Sequence, residues 1–220
     1  LFAAWTGTAQ LIGGPIPAWL VSVGVVSSIL LFIPVLVISI NLLGTMRGSF
    51  GALNWSPSLL FTVTGAGVFL LAYVQGALLA FPAVAAIFHF TDVLIGQGAL
   101  LLFGFVSMVF FGAIYYIVPR LTGRDWQGDG LINWHFWLFL VALGVAYISL
   151  TFGGMVQGFA LNDPGVRFAS SVGFATPFRL VAVLSAVALV IASNIFAHLF
   201  FRTILAVLEE SKSSPEAVTV

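Results

Sequence analysis

Long apolar runs broken by short polar punctuation set the pattern of this chain. Five stretches carry no charged side chain in their middle, near residues 17–43, 58–82, 93–118, 132–157 and 178–205. Each is long enough to cross a bilayer as a helix, which takes about 20 residues. No segment alternates apolar and polar side chains over a barrel strand's length, so the pattern predicts helices. Several runs exceed the minimum, which predicts tilt, and Pro34 falls where it would kink the first span. The expected fold is an all-α integral membrane bundle of about five transmembrane helices. It would occupy residues 1–208, with 209–220 as a polar tail.

Connections are expected at Gly13-Gly14-Pro15, at Arg47-Gly48-Ser49 with Pro57, at Pro119-Arg120 and at Asn162-Asp163-Pro164-Gly165. Counting Lys and Arg on each side orients the bundle. Arg47, Arg120, Arg124, Arg202 and Lys212 fall on one face, while Arg167 and Arg179 fall on the other. The positive-inside rule then places the C-terminal tail in the cytoplasm of a bacterial inner membrane. His89, Asp92 and the 162–179 loop would face the opposite side. All six tryptophans fall near predicted span ends, as an interfacial belt requires. Ala182/Ala186, Ala188/Ala192 and Gly76/Ala80 have the small-xxx-small spacing that lets helix backbones approach in lipid.

Composition narrows the chemistry. The chain is 61% hydrophobic and 6% charged, which leaves too little polarity to cover a soluble domain. It has no cysteine, which excludes disulfides, iron–sulfur clusters and covalent haem attachment through Cys-x-x-Cys-His. Net charge is zero without a basic run, so nucleic acid is excluded as a partner. The chain starts at Leu1 without a signal-peptide pattern and reads as a portion of a longer subunit. No inverted repeat marks a secondary transporter. Gly65-Ala66-Gly67 lies inside a span, which excludes a nucleotide-binding loop.

Two neighbouring segments carry the strongest motif signal: His89-Phe-Thr-Asp92-Val-Leu-Ile-Gly-Gln97-Gly-Ala99 and Phe111-Gly-Ala-Ile-Tyr-Tyr-Ile-Val-Pro-Arg120-Leu. They resemble the haem-ligand helix of the main subunit of cbb3-type haem–copper oxidases and, more distantly, the nitric oxide reductase large subunit. Trp5-Thr-Gly-Thr8, Thr45-Met-Arg-Gly48, Asn133-Trp-His135-Phe-Trp137 and Gly153-Gly154-x-x-Gln157-Gly158 extend the likeness in register. The resemblance implies the last five helices of a twelve-helix subunit. In that family the first segment reads roughly His-Phe-Thr-Asp-Trp-Thr-Ile-Gly-His-x-His, and its last two histidines hold haem irons.

The departures define the expectation. The haem-ligand positions fall on Gln97 and Ala99, the copper-ligand pair on Leu1 and Phe2, and a family glutamate on Gln75. None of these can perform the family role, so no haem or metal is expected in this chain. Haem b would belong to partner subunits. His89, His135 and His198 are the remaining candidate ligands. His89 lies about a bilayer thickness, ~30 Å, from the other two, whereas His135 and His198 share a depth and could clasp a cofactor. Gln75, Gln97, Asn41, Gln157 and Asn194 are polar groups within or beside spans, expected to bond between helices or to line a quinone or proton path.

These residues point to a ligand-free relative of the oxidase main subunit that serves as a structural or assembly subunit of a respiratory complex. Its partners would be other membrane subunits, including a haem-bearing oxidase subunit and c-type cytochromes, together with lipid. An alternative is an active oxidase or nitric oxide reductase subunit whose ligands come from another half or chain. A quinone- or lipid-binding membrane module is a further alternative.

Overall fold

A computed structural model describes the chain except Leu1, Phe2, Ile12, Trp55, Gln127 and residues 214–220, and the side chains of Gln10 and residues 210–213. The described residues hold five helices long and apolar enough to cross a membrane: α1 (Ala18–Thr45), α2 (Pro57–Leu79), α4 (Asp92–Thr122), α5 (Asp129–Leu161) and α6 (Phe168–Ser213). A short α3 (Pro82–Phe88) joins α2 to α4, and two helical turns, Ala3–Thr6 and Gly7–Leu11, precede α1. The protein is an integral membrane protein of all-α class. The copper-position pair Leu1 and Phe2, Trp55 and most of the tail lie outside the described residues.

The helices pack largely in chain order. α1 meets the N-terminal turns and α2, α2 meets α4, α4 meets α5, and the most extensive seam joins α5 to α6. Pro34 lies within a continuous α1. The Pro119-Arg120 pair does not form a connection. α4 continues through it to Thr122, and Gly123 ends the helix in the left-handed conformation at φ +66°, where a glycine meets no Cβ penalty. Arg120 instead donates to the Tyr116 carbonyl one turn back and lies over the Tyr116 ring.

The winding of α4 widens to an i→i+5 pattern over Leu100–Ser107. Ser107 Oγ follows the wider register and donates to Leu102 O at 2.9 Å. Such π segments within α-helices are frequent at functional sites. This one starts immediately after Ala99.

Close approach rests on small residues, though only some of the expected ones. On α6, Ala182, Ser185, Leu189 and Ala192 are buried at helical spacing, whereas Ala186 is exposed. The Ala182/Ala186 pair therefore does not mark a seam. Between α2 and α4 the contact depends on Gly104, where a Cβ would overlap the Val68 side chain. The buried core lies toward the Arg47 face and is largely aromatic, with Phe61, Tyr115, Phe136 and Phe139 beside Met108, Leu143 and Leu199. Trp126 belongs to this cluster rather than to an interfacial belt. It stacks edge-on to Tyr115 and donates Nε1–H to the Tyr115 carbonyl at 3.1 Å.

α6 has 46 residues, so it runs about 69 Å at 1.5 Å per residue. A bilayer core is only about 30 Å thick. The uncharged stretch between Arg179 and Arg202 matches that thickness, and the helix continues past both ends of it.

Candidate functional site

The start of α4 carries Asp92 and Gln97 of the motif and brings Asp92 close to Gln157 of α5. Thr91 is extended and its hydroxyl caps the helix, accepting from Val93 N–H at 3.4 Å. Asp92 follows in the first turn, where the helix dipole favours a carboxylate. It is 5% exposed, so its charge needs a partner. Arg179 supplies it from α6: Nε donates to Asp92 Oδ2 at 2.6 Å and Nη2 to Oδ1 at 3.1 Å. Nη2 also donates to Gln157 Oε1 on α5 at 3.2 Å. One guanidinium thereby joins three helices.

The glycine motif of α5 makes this junction sterically feasible. A Cβ at Gly154 would land on the Val93 backbone nitrogen, one at Gly158 on the Ile87 carbonyl, and one at Gly153 on the Phe178 side chain. The run Gly153-Gly154-x-x-Gln157-Gly158 is thus a docking strip for the end of α3, the head of α4 and α6. The 162–179 segment was expected to be a loop, but only its first few residues are. Phe168–Arg179 is helical, because no residue there stops a helix and Pro177 is tolerated within it. Arg179 therefore projects from a helix onto the head of α4. Asp92 opens α4 and Arg179 borders the uncharged stretch of α6, so the span middles stay free of charge and the bidentate ion pair meets the desolvation cost at one membrane face.

Gln97 lies one and a half turns below Asp92. Its amide nitrogen would stand 2.5 Å from a Cβ at Gly76, so a larger residue on α2 would make the Gln97 side-chain tip swing aside. Beside it is a cavity of about 190 Å³ lined by α1, α2 and α4, including Ser28, Tyr73, Gly76, Ala77 and Gln97. Ala99, two residues further, offers only a methyl group. Gln75 faces protein, with its buried Oε1 lacking a hydrogen-bond partner. Asn41 is exposed. Asn194 is also exposed and donates to its own helix at Val190 O.

The histidines do not come together. His89 caps the end of α3 and packs edge-on against Phe90. His135 is wholly buried and ringed by Phe61, Phe111, Phe139 and Phe196, with Nδ1 at 2.9 Å from the Tyr115 hydroxyl. His198 is exposed. It sits two residues after Phe196, which turns it away from the ring cluster that Phe196 faces. The expected His135–His198 clasp is therefore not built. Among the described residues no three of His, Asp and Glu gather as a metal site would require.

The Tyr115–His135 pair and the Arg179 clamp were both missed by motif reading. The signal for the clamp was present: an arginine leading an otherwise uncharged run, and an aspartate opening another, are an oppositely charged pair at one membrane face. Tyr115 offered no such signal in its aromatic surroundings.

Residues 1–188 match the family of cytochrome c and quinol oxidase polypeptide I. The chain belongs to that family. It is 32% identical over 212 residues to the cbb3-type cytochrome c oxidase subunit CcoN1 of Stutzerimonas stutzeri, covering 92% of this chain and 44% of that protein. It is 30% identical over 223 residues to a cytochrome c oxidase subunit 1 homolog of Agrobacterium tumefaciens (strain T37), covering 97% and 41%. A cytochrome c oxidase subunit 1 of Rhodobacter capsulatus matches at 27% over 226 residues, covering 98% and 41%. The chain thus spans less than half the length of these relatives.

If, as the resemblance implies, the family's haem ligands fall on Gln97 and Ala99, a carboxamide and a methyl stand there in place of the imidazoles that haem iron takes.

Proposed function

We propose that this oxidase subunit I relative is a non-catalytic structural subunit of a respiratory membrane complex, supporting partners that carry the haem. The observation behind this reading is the contrast within one helix. α4 keeps a full packing apparatus, with Thr91 as cap, Asp92 clamped by Arg179 and Gly104 admitting Val68, while Gln97 and Ala99 offer no imidazole for haem iron. Packing and ligation impose separate requirements, so a helix can keep the first and lose the second. The partners in this reading are a haem-bearing oxidase subunit, c-type cytochrome subunits and the surrounding lipid of a bacterial inner membrane.

The alternative is an active redox subunit completed by ligands from elsewhere. A pyridine haemochrome spectrum of the chain purified in mild detergent separates the two readings. Absence of haem b from this chain, with haem in the co-purified partner, supports the structural role. Stoichiometric haem b on this chain sinks it, and moves attention to His89 or to ligands from another half.

A further inference from the structure

The heads of α2 and α5 stand apart at the Arg47 face. One helical turn, Phe50–Asn54, follows α1 and leads into α2 at Pro57, while Asp129 opens α5. Between these elements lies a cavity of about 590 Å³, within the ~300–1,000 Å³ range of small-molecule sites. Its walls follow helical periodicity. Asp129, Ile132, Asn133 and Phe136 share one face of α5. Pro57, Leu60 and Phe61 share one face of α2. The rings of Phe61 and Phe136 meet edge to face at 5.0 Å.

The lining is amphipathic. Asn54, Asp129 and Asn133 are exposed, whereas Phe61, Ile132 and Phe136 are buried. Among the described residues that line the cavity, Asp129 alone is charged, and no described cation pairs with it. Its carboxylate only accepts hydrogen bonds, and the carboxamides of Asn54 and Asn133 and the Ser56 hydroxyl add further acceptors. The depth is that of lipid headgroups. Trp134 and Trp137, on the opening turns of α5, are 67% and 54% exposed, and such amphipathic rings mark the membrane interface.

We propose that this cavity seats the headgroup of a zwitterionic phospholipid bearing a primary ammonium, with Asp129 as its counter-ion. The apolar walls take the glycerol and first acyl methylenes. A primary ammonium brings three N–H donors to the carboxylate and carbonyls, whereas a quaternary ammonium brings none. An anionic headgroup meets only the like charge of Asp129. The site therefore selects phosphatidylethanolamine over phosphatidylcholine and phosphatidylglycerol. A soluble amine carries the same ammonium but lacks the apolar part, so the test includes both sources.

The protein, with the subunits that accompany it, is reconstituted in phosphatidylcholine bilayers. These contain a trace of phosphatidylethanolamine with a photoactivatable diazirine near the start of one acyl chain and its ammonium intact. Crosslinked peptides are read by mass spectrometry, and labelling elsewhere on the lipid-facing helices reports folding and insertion. Labelling is expected in the peptides spanning 53–61 and 129–136 despite the excess of phosphatidylcholine. Unlabelled phosphatidylethanolamine should displace it at a mole fraction ~5-fold lower than phosphatidylglycerol, the factor an exposed ion pair warrants. Asp129→Asn, at an exposed position, should lower the labelling by the same ~5-fold. Asp163→Asn, exposed at the opposite face, should leave it unchanged. Equal labelling of these peptides by a diazirine phosphatidylcholine marks annular lipid only and overturns the proposal. Labelling that Asp129→Asn does not change overturns it too. Displacement by soluble phosphoethanolamine as readily as by the lipid overturns the lipid as the source of the ammonium.

Discussion

Arg179 and Asp92 lie 87 positions apart in the chain and meet in a two-pronged ion pair of 2.6 and 3.1 Å. The carboxylate is 7% exposed and the guanidinium 36%, so the two partners are unequal. Water can reach the arginine if its partner is lost, but it cannot readily reach the aspartate.

That asymmetry gives the first prediction. Arg179→Gln strands a buried carboxylate and is expected to cost about 1–3 kcal/mol, discounted from a fully buried pair because Arg179 is partly solvated. Asp92→Asn keeps an acceptor facing Arg179 and is expected to cost about 1 kcal/mol or less. Thermal unfolding in detergent, followed by loss of monodisperse elution, should rank the variants with Arg179→Gln the less stable. The reverse order would mean that the clamp serves the arginine rather than the aspartate.

The second prediction concerns Tyr115 and His135. Their 2.9 Å hydrogen bond lies inside an aromatic box, and His135 Nε2 has no partner there. Tyr115→Phe strands the second ring nitrogen as well and is expected to lower stability by about 1–3 kcal/mol. Replacing both partners, Tyr115→Phe with His135→Leu, removes every unmatched atom of the pair. The double variant is expected to lie closer to the parent than the sum of the two single losses, which a double-mutant cycle reads directly. Additive losses would show that the hydrogen bond contributes nothing.

The five spans were legible because lipid allows few backbone solutions, and a helix-length apolar run leaves little choice. Span ends were less so. α4 passes through Pro119-Arg120 and α6 begins a full ten residues before the expected 178, since neither proline nor an isolated arginine ends a helix that neighbours support. Tertiary partners were the hardest to read. The face that Ala182 turns to α5 and Ala186 turns away depends on helix rotation, which small-residue spacing alone does not fix. His135 gave the same difficulty: near a span end by sequence, it is enclosed because Phe196 of α6 and Phe61 of α2 close over it.

The last prediction tests whether the glycines of α5 are contacts or only composition. In a helix interior, Gly→Ala ordinarily helps by up to about 1 kcal/mol. At Gly144 a methyl group would meet nothing within 4 Å, so Gly144→Ala is expected to be neutral or stabilising. Gly154 lies on the same helix, but a Cβ there would strike the Val93 backbone and the Asp92 carbonyl carbon. Backbone cannot swing aside as a side-chain tip can. Gly154→Ala must therefore push the head of α4 away from α5, at an expected cost of about 1–3 kcal/mol. Arg179 would then no longer span Asp92 and Gln157 together, so Gly154→Ala and Arg179→Gln should be less than additive. Equal effects of Gly144→Ala and Gly154→Ala on the unfolding temperature would show that the two helix heads have room to spare.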